Sequence, residues 1–285
     1  MTMPIPDLVP VQWLAARGPS AGLAIIDASY HLPAAGRDAA AEFAAGHIPG
    51  ARFLDMASLV DKQSDVPQAL PRPDQLAARL GQLGVRQGDT IILYDDSAIR
   101  TSARAWFMLS SCGWENVAIL DGGLARWRAE GRALEIGTPE ISPAPPPRLA
   151  PARAVRSKAQ MLANLDAQAE QVLDARSADR VFGSGIDPVH GGPNGRIPGA
   201  RNLPFTEVLN SDGTYKSPEE LRAAFAAAGV DLARPVITTC GSGVTASVLL
   251  FALHLIGKHD TALYDGSWSE WGADPDTPKA QGPDA

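Results

Sequence analysis

Of the two cysteines in the chain, Cys112 and Cys240, one stands where a thiol can do chemistry. Cys240 opens the run Cys240-Gly241-Ser242-Gly243-Val244-Thr245. Before it, Arg234-Pro235 and then Val236-Ile237-Thr238-Thr239 form a short β-branched stretch bounded by a proline, which predicts a strand over 236–239. After it, apolar residues recur at helical spacing and predict a helix over 246–256. A strand, a small-residue loop and a helix make a cradle for an anion. The N–H groups of the loop and first turn lack intrahelical acceptors and point at one spot, and the helix dipole adds to them. A cysteine at that spot is expected to hold its thiolate form and to act as a nucleophile. The alternative is a buried structural cysteine, since Cys is among the most buried residue types. Two glycines, a Ser and a Thr around it favour the nucleophile.

The elements that must position this loop occur twice. Ile48-Pro49-Gly50-Ala51-Arg52 returns as Ile197-Pro198-Gly199-Ala200-Arg201, and Asp27 in Ile25-Ile26-Asp27-Ala28-Ser29 returns as Asp174 in Val172-Leu173-Asp174-Ala175-Arg176. Gly84-Val85 matches Gly229-Val230, and Asp121-Gly122 matches Asp265-Gly266. The order is kept and the spacing drifts by only a few residues, so a whole domain is duplicated; solenoid repeats are far shorter. Within each copy, apolar runs alternate with helical patterns. Strands are predicted over 23–26, 90–94 and 117–120, and helices over 72–81 and 102–111. In the second copy the strands fall over 171–173, 236–239 and 261–264, and the helices over 217–227 and 246–256. This alternation predicts an α/β fold of two tandem domains, each a mainly parallel sheet flanked by helices, with ligands beyond the carboxyl ends of the strands. Residues 1–136 are assigned to the first domain and 152–285 to the second. Between them the proline-rich stretch 137–151 is expected to be a semi-rigid linker.

Composition narrows the field. The chain has 285 residues, 45% of them hydrophobic and 20% charged, as in ordinary soluble proteins, and that length is comfortable for two domains. A net charge of −7 argues against nucleic acid or an anionic membrane as the main partner. No apolar run reaches bilayer-spanning length. The stretch Met1-Thr2-Met3-Pro4-Ile5-Pro6-Asp7 lacks the basic and apolar regions of a signal peptide, and two cysteines supply neither a disulfide framework nor a zinc set. A reducing cytoplasm is the expected location, and no metal or other cofactor is expected. His47 and His254 have no metal-ligand spacing, and Cys112, in Ser110-Ser111-Cys112-Gly113-Trp114, reads as packing at a helix end.

The paired Ile-Pro-Gly-Ala segments, the Asp121-Gly122-Gly123 and Asp265-Gly266-Ser267-Trp268 turns and the Cys240 loop together resemble the tandem-domain rhodanese-type sulfurtransferases over essentially the whole chain. The loop wording, with Gly241 and Ser242 where the thiosulfate-preferring form carries Arg and Lys, is similar to the 3-mercaptopyruvate sulfurtransferase branch. So are Leu32-Pro33, Gly36-Arg37-Asp38 and Glu42-Phe43 ahead of His47-Ile48-Pro49-Gly50. The resemblance implies a two-step transfer. Cys240 takes sulfur from 3-mercaptopyruvate as a persulfide and releases pyruvate. A thiol, thioredoxin-like or of low molecular weight, or cyanide then removes the sulfur. Thiosulfate as donor, or a persulfide carrier with little turnover, are the alternatives.

The resemblance further implies that Cys240 and Ser242 are catalytic, with Gly241, Gly243, Val244 and Thr245 completing the loop. Ser242 either bonds the sulfur or satisfies its own loop backbone. Arg180, six residues after Asp174, matches a substrate-binding arginine whose planar fork suits a carboxylate, and Trp268 is the aromatic expected to line the pocket. Trp106, Trp127 and Trp271 read as core. The chain also departs from the branch. Val189 replaces a second arginine, leaving His190 and Arg196 as nearby substitutes in a diverged, glycine-rich segment, 183–195. Ala57 and Gln68 replace an Asp and a His of the first domain, so a Ser-His-Asp relay from that domain is not implied. Asp95 stands where the second copy has Cys240, and a carboxylate cannot carry sulfur, so the first domain is expected to be silent and to supply one wall of the cleft. A cysteine phosphatase would need Arg six residues after its Cys, where this chain has Ala246.

Overall fold

A computed structural model describes residues 5–282. The chain divides into two compact units, one comprising residues up to Asp61, Leu70–Arg153 and Ser211–Thr214, the other Lys62–Ala69, Ala154–Asn210 and the rest of the chain from Tyr215. The strands of the first unit are β1 (Leu8–Val9), β2 (Leu23–Asp27), β3 (Ala51–Phe53), β4 (Thr90–Tyr94) and β5 (Val117–Leu120). Those of the second are β6 (Val155–Arg156), β7 (Gln171–Asp174), β8 (Arg201–Asn202), β9 (Val236–Thr239) and β10 (Thr261–Tyr264). Each unit has one five-stranded sheet with all its pairs parallel, in the order β1-β5-β4-β2-β3 and β6-β10-β9-β7-β8. The predicted α/β architecture is the observed one.

Sequence pattern explains why the middle strands read so clearly. β5, β7 and β9 are buried at every position, as parallel strands covered on both faces must be, and β5 and β9 accordingly appear as continuous apolar or β-branched runs. The predicted helices over 72–81, 102–111, 217–227 and 246–256 are found at Pro73–Gln82, Thr101–Ser111, Pro218–Ala227 and Val244–Leu255. Pro218 opens its helix at the first position, where its missing N–H costs nothing, behind a Ser217–Glu220 capping box. The helix Val244–Leu255 is buried from Ala246 through Leu253, which is why its sequence is apolar nearly all round.

The proline-rich stretch forms no helix or strand and is strapped to the first unit. Ala144 N–H donates to Gly81 O at 2.8 Å, Arg148 N–H to Gln87 Oε1 at 2.8 Å and Ala150 N–H to Cys112 O at 2.9 Å. Cys112 itself is buried, and burial pushes its thiol pKa up. Trp106, Trp127 and Trp271 are all buried, as expected.

In both sheets the middle strand, β4 or β9, ends beside the strand on which the topology reverses, β2 or β7. Asp27 pairs with Tyr94 in one sheet and Asp174 with Thr239 in the other, so each strand-end carboxylate sits next to the loop that follows the middle strand. This is the crevice where open α/β sheets take ligands. The two carboxylates have different company. Asp27 is 2% exposed and is followed by Ser29, whose N–H reaches Oδ1 at 2.8 Å. With burial as the main cause, its pKa is pushed up to about 6. Its unfolded value is the ordinary 3.8, so the protonated carboxyl favours the fold at low pH, and that contribution disappears as pH rises through about 6. The stability lost between low and neutral pH is about 3 kcal/mol. Asp27→Asn, which keeps the acceptor oxygen without the charge, is expected to raise Tm at pH 7.5 and to flatten the pH dependence of Tm between pH 4 and 7. Equal Tm values for both proteins across that range would show that Asp27 does not carry this charge.

Candidate active site

Cys240 follows β9 directly, at 2% exposure. The chain must reverse from strand into helix within four residues, 240–243, and Gly243 absorbs the turn at φ 77°, a left-handed conformation that favours glycine. Val244 then begins a 12-residue helix, so Cys240 sits at the N-terminal end of its dipole. The loop is tied from the side by the turn after β10. Cys240 N–H donates to Ser267 Oγ at 3.2 Å, and that hydroxyl donates to Tyr264 O at 2.8 Å. Trp268 N–H donates to Cys240 O at 3.0 Å, while Ser269 donates to Gly241 O from its N–H at 2.8 Å and its hydroxyl at 2.6 Å. Ser267 holds φ 50°, an uncommon value for a residue with a β-carbon, in the turn that brings its hydroxyl to Cys240.

Behind the loop lies Arg176, whose side chain is fully buried. Its fork grips Asp174 with Nε at 3.1 and 3.2 Å and Nη2 at 2.7 Å from the carboxylate oxygens, and Nη2 also reaches Gly195 O at 2.7 Å. The guanidinium lies 4.6 Å from the centre of the Trp268 ring, in cation–π range, so Trp268 faces this group as well as holding Cys240. Burial works against the charge on Arg176, but Asp174, Asp187 and Cys240 outweigh it, and the pKa is raised. Arg176 is thus a buried cation held on the strand partner of Thr239, the residue before Cys240. Its Nη1 is buried with no hydrogen-bond partner and is 3.6 Å from Asp187 Oδ2.

The glycine-rich segment 183–195 supplies the third side. Asp187 is fully buried. Burial raises its pKa, but Arg180 and the N–H groups of Val189 and His190 outweigh that and leave it below the ordinary carboxylate range. Arg180 binds it through Nε at 3.1 Å to both oxygens and through Nη2 at 2.8 Å. Nη2 is also 3.0 Å from His190 Nδ1. His190 packs on the loop itself, since a β-carbon built on Gly241 would lie 2.1 Å from His190 Cε1. Any side chain there would have to displace the imidazole. Val189 is 43% exposed, and Arg196 turns away, its Nη1 donating to Gly282 O and its guanidinium carbon 5.1 Å from the Phe182 ring centre. Of the two substitutes considered for the second arginine, only His190 reaches the loop.

A model of the rhodanese-like domain matches residues 11–130 and again residues 157–274. The chain belongs to the rhodanese-like family. It is 40% identical to human 3-mercaptopyruvate sulfurtransferase over 271 residues, covering 93% of this chain and 91% of that protein. It is 36% identical to a thiosulfate sulfurtransferase from Cricetulus griseus, covering 96% of this chain and 95% of that one. The crystal structure of SseA from Escherichia coli, described as a 3-mercaptopyruvate sulfotransferase, superposes with a TM-score of 0.81 at 39% identity, covering 93% of this chain and 99% of SseA.

The two rhodanese-like domains fill the same position with different chemistry. Asp95 follows β4 as Cys240 follows β9, and Leu124 N–H donates to its carbonyl at 3.1 Å just as Trp268 does to Cys240. The Asp95 carboxylate accepts the N–H groups of Ser97 at 2.8 Å and Ser102 at 2.9 Å, so the first loop closes on its own anion. Burial pushes this carboxyl above its ordinary range, against those bonds. Among the residues expected from sequence, Cys240, Gly241, Ser242, Gly243, Val244 and Thr245 form one loop and helix start, with Trp268 and Arg180 beside it through Arg176 and His190. Arg176, Ser267 and Asp187 were not singled out. Arg176 had a signal in Asp174-Ala175-Arg176 against Asp27-Ala28-Ser29: a cation appears in the cysteine-bearing copy alone.

Proposed function

We propose that this chain is a sulfurtransferase that takes sulfur from 3-mercaptopyruvate onto Cys240, releases pyruvate and passes the sulfur to a thiol or to cyanide. The observation that carries the reading is a buried cysteine at the mouth of a 12-residue helix, with the buried Arg176 guanidinium held on Asp174, the strand partner of Thr239 just before it. A helix N-terminus is a place where a sulfur anion, thiolate or persulfide, is favoured. Ser242 lies within the loop for hydrogen bonding to either sulfur. Ala246, six residues on and fully buried, offers a phosphate no guanidinium from the loop.

Arg180 contributes positive charge for the donor's carboxylate, with Nη1 the edge that neither Asp187 nor His190 uses. The first domain is catalytically silent because Asp95 occupies the thiol's place, and the division into 1–136, a linker over 137–151 and a catalytic domain over 152–285 follows from that assignment. Both cysteines are free thiols, which suits a reducing cytoplasm. No helix among the described residues is long and apolar enough to cross a membrane, and no cluster among them could hold a metal ion.

The test compares kcat/KM for 3-mercaptopyruvate and thiosulfate on one preparation, with a thiol acceptor and with cyanide. Preference for 3-mercaptopyruvate by about tenfold or more, with stoichiometric pyruvate, is the expected result. A preference for thiosulfate overturns the donor. One sulfur taken up per chain without further turnover overturns the enzyme and leaves a carrier.

A further inference from the structure

His190 is fixed in position and in tautomer by Arg180 and Asp187. Its Nδ1 lies 3.0 Å from Arg180 Nη2, and a guanidinium only donates, so Nδ1 accepts and the ring proton is on Nε2. Arg180 is itself locked on Asp187, which also accepts the His190 N–H at 3.3 Å. Burial above all, with the charge of Arg180, holds the His190 pKa below its ordinary value, so the ring is neutral at physiological pH. The ring meets the reactive loop with Cε1, the carbon between its two nitrogens: a β-carbon on Gly241 would lie 2.1 Å from Cε1, 2.7 Å from Nε2 and 2.8 Å from Nδ1. With Nδ1 taken by Arg180, Nε2–H is the ring donor left beside the loop, and the side chain keeps 21% of its surface open. An oriented, uncharged N–H donor therefore stands beside the residue next to the nucleophile.

We propose that His190 Nε2–H is the hydrogen-bond donor to the keto oxygen of a 2-oxo acid sulfur donor, an inference that rests on 3-mercaptopyruvate being that donor. As the Cys240 thiolate forms its S–S bond, the donor's C3–S bond breaks. The electron pair moves toward C2, and negative charge develops on the former keto oxygen. A donor already aimed at that oxygen gains strength as the charge appears. The enolate then takes a proton at C3 from water to give pyruvate, and the donor's thiol proton is released from the new terminal sulfur. His190 keeps its own proton throughout. This makes it a determinant of donor choice, because thiosulfate has no carbonyl and leaves as sulfite.

The experiment is single-turnover sulfur loading of Cys240, followed by pyruvate release from 3-mercaptopyruvate and by sulfite release from thiosulfate. His190→Ala is expected to slow the first about 100-fold, the range for losing one such donor, and the second by less than about threefold. His190→Gln, which returns an N–H near the Nε2 position, is expected to recover about tenfold with 3-mercaptopyruvate. Loading from thiosulfate is the internal control for folding. Equal losses with both donors, or no loss with 3-mercaptopyruvate, overturn the assignment of His190 and leave the enzyme reading intact. A wild-type chain that loads from thiosulfate alone overturns the proposed donor, and the role of His190 with it.

Discussion

Cys240→Ser is expected to lower sulfur transfer by about 10⁴-fold or more with every donor, equivalent to roughly 5.5 kcal/mol of barrier. The substitution keeps a small polar atom in the cradle but replaces a soft, ionisable nucleophile with a hydroxyl that stays protonated at neutral pH and cannot hold sulfane sulfur. Nothing else in the described residues can substitute. Asp95 stands in the matching place of the first domain, and Cys112, the second free cysteine, is buried with its thiol pushed up. Backbone bonds from Trp268 and Ser269 hold the carbonyls of Cys240 and Gly241, so the loop keeps its shape without the sulfur and Tm is expected to move by a few degrees at most. Steady-state pyruvate release together with mass measurement of the loaded chain checks both points. Turnover near wild type in the variant would place the chemistry elsewhere.

Arg176→Met is expected to be the most damaging substitution for stability. Its guanidinium is wholly enclosed and answers one buried carboxylate through three bonds and a second at 3.6 Å. Removing one partner of a buried ion pair leaves an uncompensated charge, at a cost of about 3–5 kcal/mol. For a unit of this size that is a Tm lower by roughly 10 °C or more. Sulfur loading is expected to fall as well, because Arg176 packs on Trp268, whose N–H holds the Cys240 carbonyl. Arg176→Lys keeps the charge but neither the fork nor the plane over Trp268, and is expected to fall between the two. Combining Arg176→Met with Asp174→Asn separates the effects: stability is expected to recover in part, while loading stays slow. Recovery of loading along with stability would show that Arg176 acts on loading through stability alone.

Much of this architecture is legible in the sequence because the information is local. β4, β5, β9 and β10 are apolar runs bounded by turn residues, and the duplication of Ile-Pro-Gly-Ala-Arg marks corresponding places in both sheets. The edge strands are not legible. Leu8–Val9 and Val155–Arg156 are two residues long, too short to show a period, and exist only because β5 and β10 offer an edge. The same divide runs through the site. Cys240, its glycines and its helix are contiguous, so strand, loop and dipole follow from one segment. Arg176 meets the loop only because β7 and β9 are neighbours in the sheet, a pairing no local pattern states. His190 meets Gly241 from a segment without periodicity, held by the Arg180–Asp187 ion pair rather than by secondary structure. The expectation that Arg180 simply presents a free fork did not anticipate Asp187, because a carboxylate in a glycine-rich run carries no sign of burial.

The carboxylate of Asp95 sets a ceiling on stoichiometry. Two domains of one ancestry present two seats, each at the end of a middle strand, but one is filled by the Asp95 carboxyl, a group covalently attached to the chain. It can be neither loaded nor emptied. On the proposed reading the molecule is single-sited, and a fully loaded preparation is expected to carry one sulfane sulfur for every two rhodanese-like domains.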